Sequence, residues 1–494
     1  MKKSIAVAKG DGIGSEIMDV VINIFKGVGV PLNYNYVEMG RDVFLAGHKL
    51  GMTPEAKKTV EELGILFKGP METPKGGGNR SINVTARKMW GTFANCRVFK
   101  TIPGVETIFS KAGIPINLTI IRENLEDTYG GVEHLVSADL AISRKFTSAP
   151  GSYQLCMYAF EYAKKNGITS VACGHKANIM KLTDGMFLEI FYEVAKNYPE
   201  IKASDVIVDD LCMKLTTIPD QYQMVVLPNL QGDIVSDLCA GLIGGLGFAP
   251  SSNIGSNVNI FEAVHGTAPD IAGKGLANPT ALLLSGLMML NHLGFGKIAK
   301  KIELATLEVL QAGIHTKDLA KNKPHVSTKE YGDAIIEHAL KISDSHPEVA
   351  KIQDIPTEVK TAQSSAGLKI TKVDGKPNLL SSRTIASKCV GVDLFLESSE
   401  YAEDIAKKLL PILPSNLKLE VISNRGIGVY PEASLFTECI NSYIIRLVAN
   451  SDLKESEALK IASNIAEHFK ILSVEMLRKY EKHGEKEVVG YSLI

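Results

Sequence analysis

The chain has 494 residues, too many for a single small module when a domain usually takes about 100–200. Hydrophobic residues make up 45% and charged residues 22%, an ordinary globular balance that excludes disordered and fibrous classes. With 54 Lys+Arg against 55 Asp+Glu the formal charge is −1, so no global field draws the chain to nucleic acid or an anionic membrane.

In chain order, Met1-Lys2-Lys3 leads into Ser4–Ala8, an apolar stretch too short for a signal-peptide core and read as a first strand. A helix over Ser15–Val28 follows, then strands at Gly64–Lys68 and Asn117–Ile121. Val171–Cys173 is a strand before a helix over Asn178–Lys196, and Met224–Leu227 a strand before a helix over Ile234–Ile243. This alternation predicts an α/β protein with a largely parallel sheet. The longest apolar run, Ala281–Leu290, falls well short of the ~20 residues of a membrane-spanning helix and predicts a buried one. From Ser343 to about Lys388 a polar stretch with Pro347, Pro356 and Pro377 predicts a linker. Beyond it, Val390–Leu396, Ala402–Leu410, Leu417–Ile422, Phe436–Leu447 and Glu455–His468 predict a compact α+β unit. Its 12 Lys+Arg against 16 Asp+Glu argue against nucleic acid and leave assembly as the preferred role. Seven cysteines without C-x-x-C spacing suit reduced thiols, and the expected location is cytoplasmic.

Several segments carry chemistry. Gly10-Asp11-Gly12-Ile13-Gly14-Ser15 joins a strand to a helix but misses the dinucleotide fingerprint at Ser15, so it reads equally as a tight turn or a cofactor contact. Glu72 to Arg87 runs through three glycines to Ser81 and Asn83, where a helix start offers free N–H groups to an anion. Arg87, Arg97 and Arg122 are able to converge on a polyanion as bidentate donors, or else sit in surface salt bridges. Tyr129, seven residues after Arg122, is a candidate proton donor or a packed aromatic. Lys176 follows a short strand, as α/β active-site residues do; a solvated lysine is the plainer reading, and His175 is read as structural. Asp233 and Asp237 are four apart on one helix face, where like charges repel unless a cation lies between them. Asp209-Asp210 offers a third carboxylate; the plainer reading is an N-cap and a surface Asp. Phe261 to Gly275, with Asn278-Pro279, is a long ligand-wrapping loop.

In this order the segments resemble the decarboxylating β-hydroxyacid dehydrogenases, and within them the isocitrate dehydrogenases, from Ile5 to about Ile342. The remainder resembles the extra C-terminal domain of one bacterial group. The resemblance implies an isocitrate/isopropylmalate dehydrogenase-like fold rather than a Rossmann fold. A large domain (about 1–100 and 250–342) and a small one (about 101–249) would share a mixed sheet within a catalytic region 1–342. A linker (343–388) and a C-terminal α+β domain (389–494) would follow.

It further implies oxidative decarboxylation of isocitrate to 2-oxoglutarate and CO2 in the tricarboxylic acid cycle. Ser81, Asn83, Arg87, Arg97 and Arg122 would hold the substrate carboxylates, and Tyr129 would be the acid. Lys176 would arrive from the second subunit of a homodimer or higher homo-oligomer. Asp233 and Asp237, with Asp209 from that subunit, would hold Mg2+ or Mn2+. Thr73, His265, Gly266, Thr267, Ala268, Asp270, Ile271 and Asn278 would bind the cofactor. NAD is the expected cofactor, because NADP-using members place lysine and tyrosine where this chain has Asp270 and Ile271. Val98 departs from the proline usual after Arg97. The competing readings are a sister enzyme acting on homoisocitrate, 3-isopropylmalate or tartrate, and a noncatalytic regulatory subunit. Ser81-x-Asn83 argues against isopropylmalate, whose alkyl group wants apolar neighbours at that helix start.

Overall fold

The computed structural model describes residues 2–72, 81–320, 323–357, 369–371, 373, 376, 379–381, 386–433, 436–482 and 485–491. The chain divides into two units: Met1–Tyr129 with Phe146–Ala177 and Asp184–Leu368, and Gly130–Lys145 with Asn178–Thr183 and Lys369–Ile494.

In the first unit lie strands β1 (Lys3–Ala8), β2 (Leu32–Tyr36), β3 (Ile65–Lys68), β4 (Ala94–Lys100) and β5 (Asn117–Glu123). After the hairpin β6 (Glu133–Ser137) and β7 (Leu140–Ser143), which belongs to the second unit, come β8 (Ser170–His175), β9 (Lys202–Ile207), β10 (Met224–Leu227), β11 (Pro250–Ile254) and β12 (Asn259–Ala263). Among the described residues ten of these form one sheet in the order β2-β1-β3-β12-β11-β4-β5-β10-β8-β9. Pairing is parallel towards both edges and antiparallel from β12 through β11 and β4 to β5. A mixed sheet therefore replaces the largely parallel one read from the alternation of elements. Apolar runs such as Met224–Leu227 are buried throughout, as strands covered by helices on both faces must be.

The helix Thr280–Leu293 contains the long apolar run and is buried; among the described residues no helix is long and apolar enough to cross a membrane. Two helix starts differ from expectation. The helix read from Asn178 begins at Thr183, where the Asp184 carboxylate accepts from the Lys176 N–H (2.7 Å) and the Gln231 amide (2.8 Å). The helix read from Ile234 begins at Asn229, after Pro228. Its first turn shows no apolar periodicity because Asn229 and Asp233 are committed to arginines. Within the stretch read as linker, Pro347–Ala350 is a helical turn, and β13 (Lys369–Thr371) pairs with β14 (Leu379–Ser381).

The first glycine loop resolves as a brace. Its Asp11 and Ile13 N–H groups already donate to Pro70 O (2.8 Å) and Thr267 O (2.9 Å). A Cβ on Gly12 (φ +58°) would lie 2.1 Å from Thr267 O, so only glycine permits this approach.

In the second unit β15 (Ser387–Glu397), β16 (Leu417–Asn424), β17 (Ile427–Tyr430), β18 (Ser442–Leu453), β19 (Lys470–Lys482) and β20 (Glu485–Val489) form an antiparallel sheet in the order β17-β16-β18-β15-β19-β20. Val392, Leu394 and Leu396 join Ile405 and Leu409 of the helix Ala402–Leu409, and Ile461 and Ile465 of Glu455–Ala466, in its core. Phe436, read as the start of an element, lies outside β18 and is exposed.

Candidate active site

The strand register assembles the site. Lys68 on β3 stands opposite Glu262 on β12, Glu262 opposite Ser251 on β11, and Ser251 opposite Arg97 on β4. In the neighbouring row Asn253 stands opposite Asn95, and Asn95 opposite Arg122 on β5. Because side chains alternate along a strand, these share one face of the sheet and Cys96, Val98 and Ser252 take the other.

Arg87, Arg97 and Arg122 gather over that face. Arg122, 1% exposed, donates from Nε and a terminal nitrogen to Asn229 Oδ1 (3.0 and 2.7 Å) and from the other to Asp233. Arg97 donates from Nε to Asn95 Oδ1 (2.8 Å) and from a terminal nitrogen to Ser236 Oγ (2.6 Å), with Asp237 at 3.3 Å and Asp233 at 3.4 Å. Arg87, on the helix Ile82–Met89, reaches Glu262 Oε1 at 2.9 Å. Burial first, then repulsion from Arg87, lowers the pKa of Arg97 and of Arg122, the latter to about 10. A bound polyanion would relieve that repulsion.

Ser81 is the N-cap of the Arg87 helix, its Oγ accepting from the Val84 N–H. Among the described residues Asn83 Oδ1, Arg87 Nε and His265 Nε2 are buried without a partner, and all three residues line a cavity of about 110 Å³ with Arg97 and Glu262. Buried polar atoms are normally paired, so three orphans around one cavity mark a polar ligand's place. A larger cavity, about 690 Å³, opens on the opposite face beside Val98, Ser252 and Tyr158; among the described residues no arginine lines it.

The Tyr129 hydroxyl donates to Asp233 Oδ2 at 2.5 Å, and the Arg122 guanidinium lies 5.0 Å from its ring centre. Burial and then the bond to Asp233 raise the Tyr129 pKa, so the phenol keeps its proton. Lys176, just past β8, places Nζ 2.5 Å from Asp209 Oδ1, and that bond holds the Asp209 carboxyl below its ordinary value. His175 bonds to Asp205 (3.1 Å) and to the Ala177 N–H (3.0 Å), a structural role.

Asp233 and Asp237 lie one turn apart on the helix Asn229–Leu242. Burial acts upward on Asp233, but Arg122, Tyr129 and Arg97 hold it low; burial pushes Asp237 up, Arg97 opposes, and the Asp233 charge adds to the rise. Hard oxygen donors with residual mutual repulsion suit Mg2+ or Mn2+. Within one chain Asp209 does not join them: among the described residues no three His, Cys, Asp or Glu side chains gather closely enough to hold a metal.

On the proposed cofactor side, His265 Nδ1 lies 2.9 Å from Gly266 O, which makes it the protonated nitrogen and leaves a lone pair on Nε2. Burial lowers its pKa, so the ring is neutral. Thr267 is buried and Ala268 adopts φ 37°. The Asn278 amide is engaged by Asp318 (3.0 Å) and by Thr280 N and Oγ1 (3.0 and 2.6 Å), anchoring the buried helix. Thr73 lies outside the described residues.

The sequence reading passed over Lys68, Glu262, Asn95 and Asn253. Lys68 Nζ meets Glu262 Oε2 at 2.5 Å with side chains only 1% and 5% exposed. Only β4 shows a local signal, the polar alternation in Ala94-Asn95-Cys96-Arg97; Lys68, Glu262 and Asn253 gain their meaning from the strand opposite.

Residues 4–335 match the family described as isocitrate/isopropylmalate dehydrogenase, and residues 387–493 match the C-terminal domain of bacterial isocitrate dehydrogenase. A Thermus thermophilus protein named isocitrate dehydrogenase (NADP) is 38% identical over 97% of this chain and 94% of its own length. A crystal structure of a protein from the same species superposes with a TM-score of 0.88 at 36% identity, covering 99% of this chain and 95% of that one. Subunit 2 of a mitochondrial isocitrate dehydrogenase (NAD) from Schizosaccharomyces pombe is 44% identical over 67% of this chain and 86% of its own. The mixed sheet and the antiparallel C-terminal unit are those of the isocitrate dehydrogenase fold. The chain belongs to the isocitrate/isopropylmalate dehydrogenase family and carries the bacterial isocitrate dehydrogenase C-terminal domain.

The expectation of NAD is corrected: the Thermus relative and Rickettsia relatives, which match almost the whole chain, carry NADP in their names. The expectation of NAD requires both Asp270 and Ile271 to face the ribose. Ile271 instead packs on the main core, and Lys274 folds back to donate to the Asp270 backbone carbonyl at 2.7 Å, which brings a cation into the same turn.

Proposed function

We propose that this chain oxidises and decarboxylates isocitrate to 2-oxoglutarate and CO2 with reduction of NADP. The observation that carries the reading is the gathering of Arg87, Arg97 and Arg122 over one face of the sheet, with Arg87 and Arg97 lining one cavity beside Asn83, a set of guanidinium donors for a tricarboxylate. An alkyl substituent in place of the third carboxylate would strand those donors, which disfavours 3-isopropylmalate.

Arg87, Arg97 and Arg122 fix the carboxylates, with the C2 hydroxyl over Asp233 and Asp237. Asp233 and Asp237, with Asp209 of a second copy, would hold a divalent metal, which would supply Lewis-acid polarisation to the substrate's hydroxyl. Lys176 of the second copy, in its neutral form, accepts the proton of the C2 hydroxyl, and the nicotinamide would take up the hydride released from C2. The keto acid loses the carboxylate on C3 as CO2, and Tyr129 returns one proton to C3. Each turnover thus yields one CO2 and one NADPH. His265 Nε2 accepts from the adenosine half.

Since Lys176 and Asp209 do not meet Asp233 within one chain, the reading requires a second copy. Leu230 and Ile234 on one helix, with Met213 on Val208–Thr217, leave apolar side chains exposed for it. NADPH absorbance on adding isocitrate and Mg2+ tests the reading. Loss of the signal with chelator and its return with excess metal are expected; turnover that survives exhaustive chelation would overturn the metal's role, and no turnover would overturn the activity.

A further inference from the structure

The substrate arginines are held from behind by a one-way relay. Arg97 Nε, which can only donate, faces Asn95 Oδ1 at 2.8 Å. That fixes the Asn95 amide, whose Nδ2 must then donate onward, to Asn253 Oδ1 (2.9 Å) and Ser251 Oγ (2.8 Å). The Asn253 Nδ2 donates in turn to Glu262 Oε1 (2.8 Å), an oxygen that also accepts from Arg87 (2.9 Å). A donor-only guanidinium at one end and an acceptor-only carboxylate at the other leave both amides a single orientation. Both asparagines are fully buried, so water does not compete, and each bond polarises the next.

We propose that Asn95 and Asn253 are positioning residues that set the separation and aim of the Arg97 and Arg87 guanidiniums, and so fix which carboxylate spacing the pocket accepts. The proposal rests on the reading of isocitrate as substrate. Neither asparagine touches the substrate; each acts through the arginine or carboxylate it orients. Alanine at either position breaks the relay and removes one bond that aims a guanidinium, directly at Arg97, which keeps Ser236, or through Glu262, which keeps Lys68, so that the guanidinium shifts from its set place.

The test is steady-state kinetics of the full chain with Asn95→Ala, Asn253→Ala and both together, with circular dichroism to confirm folding. The expected result is a KM for isocitrate raised about tenfold or more, kcat changed much less, and KM for NADP unchanged. The double variant is expected to be no worse than the poorer single one, since a relay broken twice is still one broken relay. Asn253→Ser, which keeps a polar atom, is read the same way if the alanine protein does not fold. An unchanged isocitrate KM, equal losses towards both substrates, or additive single effects would overturn the proposal while leaving the activity standing. Absence of isocitrate turnover by the unaltered protein would overturn the activity and this proposal with it.

Discussion

Glu262→Gln removes one charge from a cluster that has almost no access to water. Lys68 and Glu262 are 1% and 5% exposed, and Arg87, on the other carboxylate oxygen, is 13% exposed. The amide keeps the shape but leaves two cations without their counter-charge, and breaking a buried pair from one side costs about 3–5 kcal/mol. Burial alone would raise the Glu262 pKa; Lys68 and Arg87 outweigh it and hold the carboxyl well below the carboxylate range. The folded value therefore lies under the unfolded one of about 4.3, and the folded state binds fewer protons. Its contribution is complete above about pH 5 and is lost as pH falls through the folded value. Urea titrations of the wild type and variant at a series of pH values measure this directly. The stability gap should be full at neutral pH and narrow steadily below about pH 4, with Lys68→Met partly restoring the variant. A neutral-pH gap below about 1 kcal/mol, or one indifferent to acid, would refute the reasoning.

Tyr129→Phe deletes the proton donor and should lower kcat by about 10²–10⁴-fold while the isocitrate KM moves little; a loss of less than about tenfold would remove Tyr129 from catalysis. Asp233→Asn should weaken Mn2+ binding, measured by electron paramagnetic resonance, with the far-ultraviolet spectrum retained; unaltered Mn2+ affinity would exclude it as a ligand. Inactive Arg122→Ala and Lys176→Ala proteins, mixed under conditions that exchange subunits, should recover activity, because a hybrid dimer holds one site free of both lesions. No recovery would confine the site to one chain.

Much of the site was legible because its residue types are unusual where they stand. Arg97 and Arg122 in apolar strands, and Asp233 and Asp237 at helical spacing, declare themselves without knowledge of their partners. Glu262, Asn95 and Asn253 did not, because an isolated polar residue in a strand gains meaning only from the residue opposite, and register is a property of the sheet. The mixed sheet came from the family resemblance and is borne out, whereas the alternation of elements missed it: nothing local in Pro250–Ile254 or Asn259–Ala263 states that β11 runs against its neighbours. The cofactor inference failed at Ile271, whose side chain turns into the core. A two-residue comparison carries no orientation. The late start of the helix at Thr183 was decided by Asp184, which answers to Lys176 and Gln231 rather than to its own periodicity.

The measurement that bears most directly on the activity is kcat/KM for isocitrate, homoisocitrate and 3-isopropylmalate side by side, each with NADP and NAD, with the keto-acid product identified. The donor set around Arg87, Arg97, Arg122 and Asn83 predicts that isocitrate with NADP is turned over best and that 2-oxoglutarate and NADPH appear in equal amounts. A higher kcat/KM for 3-isopropylmalate, or NADPH formed without 2-oxoglutarate, would contradict it.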